Sequence, residues 1–80
     1  MHVVIYGRTQ GCKFCDTAKN ICEEKAFDTS FIDIAEAGLD AASLQAICGV
    51  PVRTVPQIFV NDEYVGGCEQ FIEYLKQNGL

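Results

Sequence analysis

Positive charge is scarce in this sequence: six Lys and Arg residues stand against eleven Asp and Glu residues, and the formal net charge is −5. Nucleic acids and anionic membranes are bound through basic surfaces, so this balance argues against both as partners. The few cations are unevenly placed. Arg8 and Lys13 flank Cys12, and Arg53 shortly precedes Pro56. Cations kept near a cysteine in an acidic chain indicate a site for a small anion.

Long hydrophobic runs are also missing. No apolar run approaches the roughly 20 residues that a membrane-spanning helix needs. Residues 1–6 lack the basic start and the long apolar stretch of a signal peptide. Even so, 49% of the residues are hydrophobic and no segment is of low complexity, which is typical of a globular chain. A chain of 80 residues suffices for one domain with a modest core, and we expect residues 1–80 to form it.

The five cysteines are an odd number, which does not suit the paired bridges of a secreted disulfide scaffold. A reducing compartment, the cytoplasm, suits them better, because there most thiols stay free while one pair cycles. Cys22 and Cys48 are expected to pack in the core as small apolar side chains. Cys68 is expected either to cap the last helix or to lie near enough to Cys12 to be modified.

Apolar periodicity and turn residues predict seven elements in the order β-α-β-α-β-β-α. Asp40 is the expected N-cap of the second helix, Gly49 its stop, and Asn61-Asp62 the turn of a β-hairpin. The first half is a βαβ unit and the second an antiparallel hairpin closed by a helix, which together predict an α/β fold with one four-stranded mixed sheet flanked by helices. The predicted strands are 3–6, 31–34, 57–60 and 63–65, and the predicted helices are 12–25, 41–48 and 68–78. The first strand, a continuous apolar run that Gly7 ends, is expected to be buried on both faces. The inner stripe of the second helix is expected to consist of Leu44, Ile47 and Cys48.

Two cysteines three residues apart, Cys12 and Cys15, lie between the first strand and the first helix. At a helix start this spacing places both sulfurs about one turn apart on one face, where they can bond to each other. Disulfide exchange needs a thiolate, which the helix N-terminus and the nearby Arg8 and Lys13 favour at Cys12. Cys12 is therefore the expected nucleophile and the more buried Cys15 the resolving thiol, with Phe14 as an apolar wall.

Two structural interpretations of the same pair are half of a zinc site and two inert core cysteines. Zinc normally has four ligands. The remaining candidate ligands, Cys22, Cys48, Cys68 and His2, are scattered along the chain and form no second pair. The spacing therefore favours redox chemistry, and His2 is expected to be a terminal surface residue.

Three separated motifs give the chain a clear resemblance to the glutaredoxins, a family of the thioredoxin-like superfamily, over nearly its whole length. They are Cys12-Lys13-Phe14-Cys15, then Thr54-Val55-Pro56-Gln57-Ile58-Phe59-Val60, and finally Gly66-Gly67-Cys68 at the start of the last helix. They come in the family's order. Common dithiol members have Pro and Tyr between the cysteines, where this chain has Lys13 and Phe14.

The resemblance implies a role for each motif. Pro56 would follow a cis peptide bond and face the active site. The Val55 backbone would pair with the cysteinyl part of glutathione, and the start of the last helix would hold the γ-glutamyl carboxylate. Glutathione is the implied reductant, and no metal is expected. The implied glutathione-binding residues are Arg8, Lys13, Phe14, Arg53, Thr54, Val55, Pro56, Gly67, Cys68 and Glu69.

The leading interpretation is thus an enzyme, a glutathione-dependent thiol–disulfide oxidoreductase that acts through Cys12 and Cys15. Its expected partners are glutathione and disulfide-containing client proteins, with ribonucleotide reductase as a client by family resemblance, and a monomer is expected. A thioredoxin-type protein is a rival, although thioredoxins usually carry a Trp beside the cysteines and this chain has none. The alternative of a different class is a module that binds a [2Fe–2S] cluster with the help of glutathione.

Overall fold

The computed structural model describes all residues from Met1 to Leu80. It confirms the predicted fold class and the order of elements. None of the three helices has the length and hydrophobicity that crossing a lipid bilayer requires. The strands are β1 (His2–Gly7), β2 (Asp28–Asp33), β3 (Gln57–Val60) and β4 (Glu63–Gly66), and the helices are α1 (Lys13–Glu24), α2 (Ala41–Cys48) and α3 (Cys68–Gln77).

The four strands form one mixed sheet in the order β2-β1-β3-β4. β1 pairs in parallel with β2, as a βαβ crossover requires. β1 also pairs antiparallel with β3, from Val3 opposite Val60 to Tyr6 opposite Gln57. This register places the end of β1 beside the beginning of β3. The loops that carry the cysteine pair and the proline segment therefore leave the sheet at the same edge.

Helices cover both faces of the sheet. On one face, α1 and α3 pack against β1 and β3 around fully buried side chains such as Ile5, Ile58 and Phe71. On the other face, α2 contributes Leu44 and Cys48 to a smaller cluster that includes Val52. The main core therefore lies between the sheet and the two helices that begin at the cysteine pair and at Cys68.

The predicted helix caps and hairpin turn are present. Asp40 caps α2 by accepting a hydrogen bond of 2.8 Å from the Ser43 N–H. Gly49 ends α2 in a left-handed conformation with φ of 76°. Asn61 and Asp62 both have positive φ, which is the backbone of a two-residue hairpin turn. The observed ends of α2 and the hairpin turn agree with the predictions, because short polar side chains and glycine determine them through contacts within a few residues.

Three expectations need correction. β2 begins at Asp28 and not at Phe31, because Asp28 to Ser30 pair with β1 in spite of their polarity; an edge strand can expose polar side chains. β1 is not buried on both faces throughout, since Val4 and Tyr6 are only partly buried. The short helix α2 is the only one on their side of the sheet. Ile47, expected on the inner stripe of α2, is 39% exposed.

His2 is also more than a terminal surface residue. It belongs to β1, and its Nδ1 lies 2.9 Å from a carboxylate oxygen of Asp28 on the neighbouring strand. This pair is exposed, so it contributes little to stability.

Asp33, the last residue of β2, ties together two loops near the cysteine pair. Its carboxylate accepts hydrogen bonds from the N–H and hydroxyl of Thr9, in the connector after β1, at 3.1 and 2.8 Å. It also accepts from the N–H groups of Ala35 and Glu36. The bond from Glu36, followed by those from Thr9, lowers the pKa of Asp33 to about 2. The ionised carboxylate thus holds the connector that leads to Cys12.

Substitution Asp33→Asn is expected to lower the stability of the protein at neutral pH. A carboxyl whose pKa is depressed by folding stabilises the folded state above its unfolded pKa of about 4, and this contribution is lost as the pH falls from about 4 towards 2. In urea titrations, the difference in the free energy of unfolding between wild type and Asp33→Asn should therefore be largest near pH 7 and nearly disappear near pH 2. Asp62→Asn, at an exposed turn carboxylate without a hydrogen bond, is the matched control. A difference in the free energy of unfolding that persists unchanged at pH 2 would contradict the stabilising role of the ionised Asp33 carboxylate.

Candidate active site

The cysteine pair lies at the beginning of α1, where the connector from β1 enters the helix. Cys12 is the N-cap residue with extended backbone, and its sulfur accepts a hydrogen bond from the Cys15 N–H over 3.2 Å. The two sulfurs are bonded to each other in this structure, with the Cα atoms 5.3 Å apart. The predicted dithiol pair is therefore brought together, and it can exist as a disulfide.

The two cysteines differ in accessibility. Cys12 is partly exposed, whereas Cys15 is 0% exposed. The Arg8 N–H donates a hydrogen bond of 3.4 Å to the Cys15 sulfur, which sits against the end of β1. An external disulfide can reach Cys12 but not Cys15. This difference fits the predicted order of nucleophile and resolving thiol.

Gly7 makes room for the Cys15 sulfur. A Cβ atom at this position would lie 2.8 Å from the Cys15 Sγ and 3.1 Å from the Phe31 ring. The sequence indicates only that Gly7 ends the first strand. The signal that could have revealed its role is a glycine at the buried end of a strand directly before a cysteine pair.

The segment before β3 faces Cys12. The Val55–Pro56 peptide bond is cis, as predicted. The Val55 carbonyl oxygen lies 3.8 Å from the Cys12 Sγ, and Pro56 is buried. A substrate bonded to the Cys12 sulfur would therefore lie directly against the backbone of Val55.

A cleft of about 270 Å³ runs from this segment to the start of α3. It contains most of the predicted glutathione-binding residues, including Phe14, which is 59% exposed and forms an apolar wall. The cleft is lined by Phe14, Thr54, Val55, Pro56, Gly67, Cys68, Glu69 and Gln70.

The predicted cations lie outside this cleft. Arg8 and Arg53 line a neighbouring cavity of about 440 Å³, which shares Thr54 and Val55 with the cleft. Neither arginine lies within salt-bridge distance of a carboxylate, since the only such contact in the structure joins His2 and Asp28. Lys13, the exposed first residue of α1, lines neither cavity. The two arginines are thus cations without a carboxylate partner that line the cavity next to the cleft, and Lys13 adds charge only to the helix start.

Gln70 is a residue of the site that the sequence did not identify in this role. Its Oε1 accepts a hydrogen bond of 3.0 Å from the Gly67 N–H, closing the N-terminus of α3. The resemblance implies that the N–H groups of Gly67, Cys68 and Glu69 hold the γ-glutamyl carboxylate. The N–H of Gly67 is already occupied by Gln70. The N–H groups of Cys68 and Glu69 belong to the first turn of α3, whose N–H groups have no partner within the helix.

The three other cysteines are kept as thiols. Burial raises the pKa of Cys22 and of Cys48, and it raises the pKa of Cys68 together with the negative charge of Glu69. Cys22 and Cys48 pack in the apolar clusters, as expected. Cys68 does not cap α3, because Gly67 is the N-cap residue; Cys68 is the first residue of the helix, is 6% exposed and borders the cleft. Thiols are poor nucleophiles and these three are buried, whereas Cys12 is partly exposed, so Cys12 is the favoured site for exchange. The structure shows no group of three or more potential metal ligands.

Comparison with known proteins gives one consistent result. The family model for glutaredoxin matches residues 3–65. A glutaredoxin of Vibrio cholerae is 43% identical over 83 aligned positions, which cover 98% of this chain and 94% of the relative. The solved structures of reduced and oxidised Escherichia coli glutaredoxin superpose with TM-scores of 0.83 and 0.85 at 38% identity, each covering 98% of this chain and 96% of the other.

Gly7→Ala is expected to destabilise the protein by about 1–3 kcal/mol, because the added methyl group overlaps the Cys15 sulfur in a packed interior. Urea unfolding of the reduced protein measures this loss. The same substitution in a Cys15→Ala background should cost less, since the overlapping sulfur is gone. Equal losses in both backgrounds would mean that the contact with Cys15 is not the cause.

Proposed function

Because the chain belongs to the glutaredoxin family and is thus a thiol–disulfide oxidoreductase, we propose that glutathione is its reductant. In this proposal the protein reduces protein disulfides and mixed disulfides of glutathione through Cys12 and Cys15. The family uses glutathione in this way. The observation that carries the proposal for this chain is the cleft beside Cys12, which is bounded by the Val55 backbone and the start of α3.

The proposed pose extends glutathione along this cleft. Its cysteinyl part lies against the Val55 backbone, so that its sulfur meets the Cys12 sulfur. The γ-glutamyl carboxylate lies at the N–H groups of Cys68 and Glu69, where the positive end of the helix dipole favours an anion. The glycine carboxylate lies towards Arg8 and Arg53, which line the cavity that continues from Thr54 and Val55.

The proposed reaction with a protein disulfide begins at Cys12. Its thiolate attacks one sulfur of the client disulfide, forms a mixed disulfide and releases the other client sulfur as a thiolate. The Cys15 thiolate then attacks the Cys12 sulfur, which breaks the mixed disulfide and releases the second client thiol. The client has gained two electrons and the protein holds the Cys12–Cys15 disulfide. Two glutathione thiols restore the dithiol and leave as glutathione disulfide.

A mixed disulfide of glutathione needs only Cys12. The Cys12 thiolate takes the glutathionyl group and releases the substrate thiol, and a second glutathione then removes the group from Cys12 as glutathione disulfide. The accessibility of Cys12 and its place at the start of α1 support this route. Lys13, the first residue of the same helix, adds positive charge that favours the thiolate.

The client protein is a further part of the proposal. Ribonucleotide reductase is the candidate client, because glutaredoxins serve it as electron donors. In the cytoplasm, a monomer would meet such a client through the exposed surface around Cys12. Phe14 beside the cleft and the two unpaired arginines in the neighbouring cavity are exposed apolar and cationic groups that such a client could contact.

Single replacements of the two cysteines test the proposal. Cys12→Ser should abolish turnover of both a small glutathione mixed disulfide and a protein disulfide, because the attacking sulfur is gone. Cys15→Ser should keep much of the first activity and lose the second, because it removes only the resolving step. Both activities are measured in an assay coupled to glutathione. A wild-type protein whose Cys12–Cys15 disulfide cannot be reduced by glutathione would refute the proposal.

Arg8→Ala and Arg53→Ala should each weaken binding of S-methylglutathione, a thioether that cannot react, by about two- to fivefold. Exposed charge interactions contribute about 0.2–1 kcal/mol, and salt screens them. The loss should therefore shrink at high ionic strength in an NMR titration. Lys25→Ala, which removes an exposed cation at the other end of α1, is the matched control. If both arginine variants bind S-methylglutathione as Lys25→Ala does, the glycine carboxylate does not lie in this cavity.

A further inference from the structure

Gln57 is the only polar side chain that is buried in this protein, with 5% of it exposed. It is the first residue of β3 and follows Pro56. Both ends of its amide are satisfied. Its Nε2 donates a hydrogen bond of 2.8 Å to the Thr54 carbonyl oxygen, and its Oε1 accepts one of 2.5 Å from the Tyr64 hydroxyl. A buried amide with two defined partners is fixed in orientation, since losing either bond would leave a buried polar group unpaired.

Tyr64 decides which way the Gln57 amide faces. Its ring packs on Phe59 at a centroid distance of 5.4 Å, which holds the hydroxyl in place from β4. Burial, with a smaller contribution from Cys48, raises the pKa of Tyr64, so the hydroxyl keeps its proton and donates it. Because the oxygen end of the amide faces this donor, the nitrogen end must face Thr54. The order of donors runs from Tyr64 through Gln57 to the Thr54 carbonyl.

The Thr54 carbonyl shares its peptide unit with the Val55 N–H. In a trans peptide the C=O and N–H bonds point in opposite directions, and the only cis bond in the chain is the next one, Val55–Pro56. Fixing the carbonyl towards Gln57 therefore turns the Val55 N–H away from Gln57. This N–H has no acceptor within the protein, and Val55 lines the cleft beside Cys12.

We propose that Tyr64 and Gln57 are positioning residues that aim the Val55 N–H at the backbone of a peptide substrate held beside Cys12. The inference rests on the proposed function, in which the cysteinyl part of glutathione lies against Val55. Neither side chain touches the substrate. They act through the plane of the Thr54–Val55 peptide, and the hydrogen bond on its carbonyl also polarises the amide and strengthens its N–H as a donor.

This relay of hydrogen bonds, from the Tyr64 hydroxyl through the Gln57 amide to the Thr54 carbonyl, therefore discriminates between kinds of disulfide. A substrate with a peptide carbonyl next to its sulfur, such as a glutathione mixed disulfide or a protein segment, can accept from the Val55 N–H. A small disulfide without peptide groups cannot. Loss of the relay should weaken binding of the first kind and leave the attack of Cys12 on the second kind as it was.

Two variants test this relay, Gln57→Met and Tyr64→Phe. Gln57→Met removes both hydrogen bonds at similar volume, and Tyr64→Phe removes only the outer one. The substrate is the mixed disulfide of glutathione and cysteamine, measured at saturating glutathione. We expect KM to rise about five- to tenfold in Gln57→Met and about two- to fourfold in Tyr64→Phe, with kcat nearly unchanged, as for the loss of one hydrogen bond or part of one.

The comparison reaction is the attack of reduced protein on 4,4′-dithiodipyridine, a disulfide without peptide groups. Its rate should equal that of the wild type in both variants. Tyr74→Phe is the matched control, since the Tyr74 side chain is partly buried and its hydroxyl makes no hydrogen bond. It should match the wild type in both assays. Nuclear magnetic resonance adds a direct readout, because the Val55 amide signal should shift on addition of S-methylglutathione in the wild type and less in the variants.

The outcomes separate the relay from the function on which it rests. A wild type that attacks dithiodipyridine but fails to turn over the glutathione mixed disulfide would overturn the proposed function. A wild type active on both, with Gln57→Met and Tyr64→Phe equal to Tyr74→Phe, would overturn the relay alone. Equal losses on both substrates would also overturn it, because they would indicate a merely structural role. If Gln57→Met does not fold, Tyr64→Phe decides by the same criteria.

Discussion

The antiparallel pairing of β1 with β3 is the constraint on which the site depends. Its last pair, Tyr6 and Gln57, brings the end of one strand to the beginning of the other, and paired residues in such a ladder have Cα atoms only about 4.5–5.5 Å apart. The connector to Cys12 and the cis segment at Pro56 thus emerge side by side. A slip of one residue would turn every side chain of β3 to the opposite face, so burial of Ile58 and Val60 fixes the active-site geometry as well as the core.

The unequal cysteines follow from the same edge of the sheet. Cys15 is one turn into α1 and packs against the end of β1, where Gly7 leaves space for its sulfur and the Arg8 N–H contacts it. Cys12 remains outside as the N-cap and faces the Val55 carbonyl. Core packing alone therefore assigns one sulfur to the outside and one to the inside. Exchange chemistry needs that difference, because an incoming disulfide must meet one thiolate first.

Features that depend on neighbours in the sequence could be predicted from it. The caps at Asp40 and Gly49, the turn at Asn61 and the spacing of Cys12 and Cys15 each act through contacts within a few residues. The features missed depend on distant partners. β2 starts early because β1 provides hydrogen bonds to polar residues that have no strand pattern of their own. The space at Gly7 depends on where α1 packs, and the bond between Gln57 and Tyr64 depends on the register of the hairpin.

In the proposed function, recognition of glutathione at this site depends on backbone groups more than on charged side chains. The chain carries a net charge of −5, which repels an anionic peptide at long range, but at physiological ionic strength this repulsion is screened within about 8 Å. Inside that distance the unpaired N–H groups at the start of α3, the free N–H of Val55 and two unpaired arginines dominate. The Gln57 amide adds to this local field by fixing one peptide plane without bringing a charge into the core. In the proposed pose an acidic protein can thus hold an anionic peptide, because the local donors are fixed by the fold and only Asp40 and Glu69 among its acidic residues line the two cavities.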